Sequence, residues 1–174
     1  MDNNAPKAAR LITFTLGDYW IGIPMASVLR VVNCPPPDRG GNLNIGVVQL
    51  GEHTVRLLNL RSQMALPDVA SPNEEMPFLL VIWGLQQSLW GIALDKPPEL
   101  LELPADLFKP VESDKRLSAK LQWFSHIAAV TDNEMSGTLL VLDLKAVFQA
   151  GEEDQSLSAH HQAPKLVAVP SSLG

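Results

Sequence analysis

The sequence has a single cysteine, Cys34, so no internal disulfide framework is possible. None is needed, because a chain of 174 residues buries roughly two-thirds of its unfolded surface. The absence of disulfides points to a reducing compartment. Long apolar runs are also missing. The longest, from Met76 to Leu85, falls well short of the roughly 20 residues that cross a bilayer. The opening segment is polar, with Asp2, Asn3, Asn4 and Pro6, and lacks the apolar core of a secretion signal. The expectation is a cytoplasmic protein with no direct membrane insertion. Positive charge is in short supply: 13 Lys and Arg stand against 19 Asp and Glu, a net charge of −6. A phosphate-neutralising surface is therefore not expected, which speaks against nucleic-acid binding. The local cluster Lys115, Arg116 and Lys120 is interrupted by acidic Asp114 and reads as an ordinary solvated face.

Catalytic constellations are missing too. Gly41 and Gly46 have the spacing of a phosphate loop, but Val47 and Val48 stand where its Lys and Ser or Thr are needed. There is no Cys-x-x-Cys, His-Glu-x-x-His or Gly-x-Ser-x-Gly. Ser125 and His126 are neighbours near the start of an expected strand. Adjacent strand side chains point to opposite faces, so no nucleophile–base pair is expected from them. Cys34 beside three prolines has no histidine near it in sequence to lower its pKa. His160 and His161 belong to a polar C-terminal stretch that offers no ordered ligand shell. The reading is no enzyme, no cofactor and no metal.

What the chain does have is a repeat. Phe14 to Ile23 reads as strand, glycine turn, strand, and Val81 to Ile92 follows the same plan with a longer turn. Thr54 to Met64 aligns without a gap on Thr138 to Phe148, and each is preceded by a short apolar strand, Asn44–Gln49 and His126–Thr131. Two halves, about 10–66 and 77–150, thus carry the same order of elements. Alternation in Ile12, Phe14 and Leu16 marks a strand with one buried face. The continuous apolar runs 78–82 and 139–142 suit strands covered on both faces. Asn59 and Asp143 occupy one repeat position, each before a short helix-compatible run. Both can cap a helix but only one can titrate, so the cap explains both positions. Pro24 is placed to open a single helical turn. From Gly151 on, the composition is that of a flexible acidic and polar tail, with one apolar patch from Leu166 to Val169.

Two small duplicated β units, each ending in a hydrophobic–Asn/Asp–Leu–Arg/Lys element, resemble the CheW-like family of chemotaxis coupling proteins and kinase regulatory domains. The resemblance runs from about Leu11 to Gln149. It is carried by Ile45-Gly46-Val47-Val48-Gln49-Leu50-Gly51-Glu52 followed by Leu57-Leu58-Asn59-Leu60-Arg61, and by Trp90-Gly-Ile-Ala-Leu-Asp95 and Leu140-Val-Leu-Asp143-Leu144. It implies a mainly all-β fold of two tandem five-stranded barrels with short helices, forming one domain over residues 1–150. It also implies an adaptor that joins the cytoplasmic tip of a chemoreceptor to the regulatory domain of a histidine kinase in a two-component signalling pathway controlling motility. The partner-binding residues it nominates are Gly46, Val48, Leu50 and Arg61. Ile45 and Gly51 stand where the family has arginines, Glu52 where it has glycine and Arg56 where it has proline. Those departures motivate a second reading, an adaptor of pilus motility or phototaxis with changed partners. A reading of another class is a small β-barrel enzyme or ligand-binding protein, and an oligonucleotide-binding barrel is disfavoured by the acidic charge.

Overall fold

The computed structural model describes residues 7–112, 114, 121–131 and 136–151. The polar tail beyond residue 151 and the basic cluster at 115–120 lie outside the described residues. Eleven strands are described: β1 (Ala8–Leu16), β2 (Tyr19–Pro24), β3 (Val28–Asn33), β4 (Val47–Leu50), β5 (His53–Leu57), β6 (Phe78–Trp83), β7 (Leu89–Leu94), β8 (Glu99–Pro104), β9 (Phe108–Pro110), β10 (Phe124–Thr131) and β11 (Ser136–Leu142). The helices are short: α1 (Leu60–Gln63), α2 (Pro72–Glu75) and α3 (144–151).

Local chemistry accounts for the breaks. The β1–β2 and β4–β5 hairpins close through two residues each, Gly17-Asp18 and Gly51-Glu52. The glycine of each pair has positive φ, +59° and +60°. A two-residue hairpin turn requires that backbone region, and only glycine adopts it without a steric penalty. Pro24 leads into the single 3₁₀ turn Met25–Ser27. Asn59 Oδ1 accepts the Ser62 N–H at 3.1 Å, and Asp143 Oδ1 accepts the Ala146 N–H at 3.3 Å. Both are N-caps at equivalent repeat positions. Asn59→Ala and Asp143→Ala should each cost about 1 kcal/mol in urea unfolding, and Asp143→Asn should cost almost nothing, because the cap needs an acceptor and not a charge.

The strands form two sheets, one of order β8-β1-β2-β11-β10-β9 and one of order β3-β6-β7-β5-β4. Laid over each other, β3, β6, β7, β5 and β4 take the places of β8, β1, β2, β11 and β10. The pairing types agree: β5–β7 and β2–β11 are parallel, and the remaining pairs are antiparallel. Two β units are present, as expected, and one carries an additional three-residue strand, β9.

Their membership corrects the expectation that each repeat builds its own barrel. The β1–β2 hairpin of the first repeat lies between β8 and β11 of the second, and the β6–β7 hairpin of the second lies between β3 and β5 of the first. The turn after Pro24 is only three residues long. It carries the chain straight out of one sheet into the other, so a repeat and its own hairpin end on opposite sides.

This exchange explains the doubly apolar strands. On β6, Leu80 and Ile82 face a shared core between the sheets, and Leu79 and Val81 face a second cluster inside their own sheet's curl. On β11, Leu140 and Leu142 face the shared core, and Leu139 and Val141 a third cluster. The alternation is the two-residue period of a strand with apolar cover on both sides.

Candidate partner-binding surfaces

Where the shared core reaches an edge strand, it continues into solvent. Ile92, Leu80 and Val31 are cross-strand neighbours on β7, β6 and β3. The first two are buried, but Val31 is 42% exposed. Ile23, Ile12 and Leu100 form the corresponding row on β2, β1 and β8, and Leu100 is 60% exposed. Leu29, at the register shift of β3, and Met25, in the turn before it, are exposed as well. The strand Val28–Asn33 therefore presents apolar side chains along a sheet edge, a place where soluble proteins ordinarily put charge.

The four residues nominated from the sequence do not form one patch. Val48 is completely buried opposite Val55, inside the curl of its sheet. Strand alternation on β4 turns it inward, so its side chain belongs to the core and not to the exposed surface. Leu50 is partly buried at the open end of the same sheet, where Arg30, Arg39, Glu52 and His53 surround a shallow cavity. Gly46 and Arg61 come together at a different place, a cleft of about 480 Å³. Gly46 has φ +78° and ends the 3₁₀ turn Leu43–Ile45. The Ile45 side chain beside it is 65% exposed, at the position where the family has arginine.

The cleft lies between the β5–α1 corner and the linker that joins the repeats. The linker contributes Asp68, Val69, Pro72 and Met76, and the body contributes Leu43, Asn44, Leu57 and Arg61. Asn73 on α2 pins the linker: its amide nitrogen donates to the Gly41 carbonyl, and its oxygen accepts the Leu43 N–H at 3.1 Å. Arg61 Nη1 makes one long hydrogen bond to the Pro67 carbonyl, 3.5 Å, while Nε is buried without a partner.

One expectation about catalytic groups needs correction. Ser125 Oγ lies 2.9 Å from His126 Nδ1, within hydrogen-bond reach. The register shift between Phe124 and His126 interrupts the alternation that would have separated them. His126 is exposed, and neither residue lines the cleft at Arg61 or the shallow cavity at Leu50. Cys34 is half-buried, with Sγ 3.6 Å from the Gly41 carbonyl, and burial pushes its thiol pKa up, away from nucleophilic reactivity. Among the described residues no group of three or more His, Cys, Asp or Glu could hold a metal ion, and no helix is long and apolar enough to cross a membrane.

Two interlocked β units with exposed seam edges define a class of fold. The solved structure of the scaffolding protein TtCheW from Thermoanaerobacter tengcongensis has the same fold, with a TM-score of 0.62 over 85% of this chain and 92% of that one, at 13% sequence identity. The family model for the CheW-like domain matches residues 10–152, so the chain belongs to the CheW-like family. No curated protein matches the chain in sequence.

Proposed function

We propose that the chain is a non-catalytic cytoplasmic adaptor linking a chemoreceptor-like sensor to the regulatory domain of a histidine kinase in a chemosensory pathway. The observation that carries this reading, beside family membership, is the pair of apolar rows that run out of the shared core onto the edge strands β3 and β8. A bridging protein needs two separate apolar surfaces with polar rims, and affinity comes from burying their centres. The β3 edge has such a rim in exposed Arg30 and the β8 edge in exposed Glu99 and Glu102. Arg10 and Glu102, 3.4 Å apart and both largely exposed, pair across the β1–β8 edge.

The test is capture from the source organism's lysate with the full chain as bait, followed by mass spectrometry. The wild type should recover a chemotaxis-type histidine kinase or a receptor with a long coiled-coil domain. Val31→Glu and Leu100→Glu, each on its own edge, should each weaken one partner at least about tenfold while sparing the other, the cost of losing an interfacial apolar anchor. Recovery of neither partner class, or variants that bind like the wild type, would overturn the assignment. The second reading, an adaptor of pilus motility or phototaxis, is favoured by exposed Ile45 and Arg56 and by Gly51, which alter the surface that the family presents there. A kinase from such a pathway among the captured proteins would decide for it.

A further inference from the structure

We propose that the cleft beneath the inter-repeat linker binds a small organic acid, with its carboxylate on Arg61 and its carbon body against the apolar wall. The cavity of about 480 Å³ lies within the range of small-molecule sites, and its lining mixes polar and apolar surface. Leu43, Val69 and Met76 supply the apolar wall, and Arg61 supplies the one cation of the lining.

The state of that arginine points to the ligand. Its only hydrogen bond among the described residues is the 3.5 Å contact from Nη1 to the Pro67 carbonyl. Its Nε–H is sealed from water without an acceptor, and a buried donor left unpaired on a charged group is costly. With Nη1 tied to the linker, the Nε and Nη2 edge is left. That edge is the fork that a carboxylate meets with two parallel hydrogen bonds. Binding there requires the linker at Pro67 to yield, and the 3.5 Å contact that holds it is already at the limit of hydrogen bonding.

Charge and shape narrow the class. Asp68 also lines the cleft, so a single negative charge is admitted more readily than the two of a phosphate monoester. The apolar wall asks for a hydrocarbon body, and an inorganic anion has none. The cleft holds Gly46 and Arg61, two of the residues nominated for partner contact, but neither Val31 nor Leu100, so the Val31→Glu and Leu100→Glu capture experiment and the ligand titration can fail independently.

The experiment is a titration of the full-length, ¹⁵N-labelled protein with hexanoate, followed by amide chemical shifts. Hexylamine and hexanol, of equal length, are titrated in parallel. Saturable shifts are expected at Leu57–Arg61 and Asp68–Val69 with hexanoate alone. Arg61→Gln should weaken binding at least about tenfold, the loss of a charge-assisted hydrogen-bond pair. Asn44→Trp, at an exposed lining position whose side chain makes no hydrogen bond among the described residues, should block the cleft without touching Arg61. It guards against an Arg61 variant that fails to fold. Absence of saturation, equal binding of hexylamine or hexanol, or hexanoate binding unaffected by Asn44→Trp would each overturn the proposal.

Discussion

Divided in the linker into 1–66 and 77–174, the chain should yield two fragments that remain unfolded apart and fold when mixed. The exchange of hairpins dictates the result. The first fragment keeps β1 through β5, yet these strands have no hydrogen-bonded neighbours among themselves beyond the β1–β2 and β4–β5 hairpins. β3 pairs only with β6, and β5 reaches the rest of its sheet only through β7. The second fragment keeps the small β9–β10–β11 sheet, but its β6–β7 hairpin has lost both flanking strands, β8 has lost β1, and β11 has lost β2 and its cover in the shared core. An isolated two-stranded hairpin is marginal at best in water, and the shared core needs residues from both pieces. Mixed at equal concentration, the fragments regain every pairing except those made by the excised linker. Folding then becomes bimolecular, so the midpoint of urea unfolding should rise with concentration, unlike that of the intact chain. Near-ultraviolet circular dichroism of the tryptophans and size-exclusion chromatography would follow the assembly. A single fragment that unfolds cooperatively by itself would show that the repeats are self-sufficient and that the exchange contributes little to stability.

The elements were largely legible in the sequence, and their partnering was not. Strand periods, turn glycines and caps are local features. Gly51 with Glu52, Asn59 three residues before Ser62, and the doubly apolar run 79–82 each announce their structure within a short window. The repeat was equally plain, because Thr54–Met64 and Thr138–Phe148 match without a gap. Which hairpin enters which sheet is a long-range choice, set by the direction of a three-residue turn after Pro24, and no local pattern reports it. The same distinction governs the surfaces. Val48 was nominated by its place in a motif, and only the pairing of β4 with β5 shows its side chain pointing into the core. Val31 and Leu100 look like ordinary strand residues until β3 and β8 prove to be edges. An available signal was the run Val28-Leu-Arg-Val-Val32, which is apolar beyond what a strand with one buried face requires. Ser125 and His126 show the converse failure: strict alternation separated them, and a register shift brought them together.

Replacement of Trp90 by alanine should cost about 3–5 kcal/mol, the usual loss for truncating a buried tryptophan. That is a large part of the roughly 5–15 kcal/mol that holds a domain folded. Trp90 is 1% exposed on β7 and makes contact in three directions. Its ring stacks obliquely on Phe148 of α3, with centroids 5.6 Å apart. The Arg56 guanidinium of β5 sits 5.7 Å above the ring, and Nε1 donates to Ser88 Oγ at 3.1 Å. Two glycines make room for it. A β-carbon on Gly84 would come within 2.2 Å of the indole, and one on Gly151 within 3.1 Å. The side chain thus joins the exchanged hairpin of the second repeat to β5 of the first and to the closing helix, which is why its removal should be felt across both units. Urea unfolding should show a lower midpoint with an unchanged slope, as for lost stability without a new intermediate. Trp83→Ala, at a side chain 45% exposed on the adjacent strand, is the control and should cost about 1 kcal/mol or less. Arg56→Ala should cost as little as that control, because an exposed cation over an aromatic face contributes about 0.5–1 kcal/mol. If Trp90→Ala unfolds within about 1 kcal/mol of the wild type, α3 and the exchanged hairpin are held by other contacts, and the cohesion of the two units must lie in the aliphatic rows of β6 and β11.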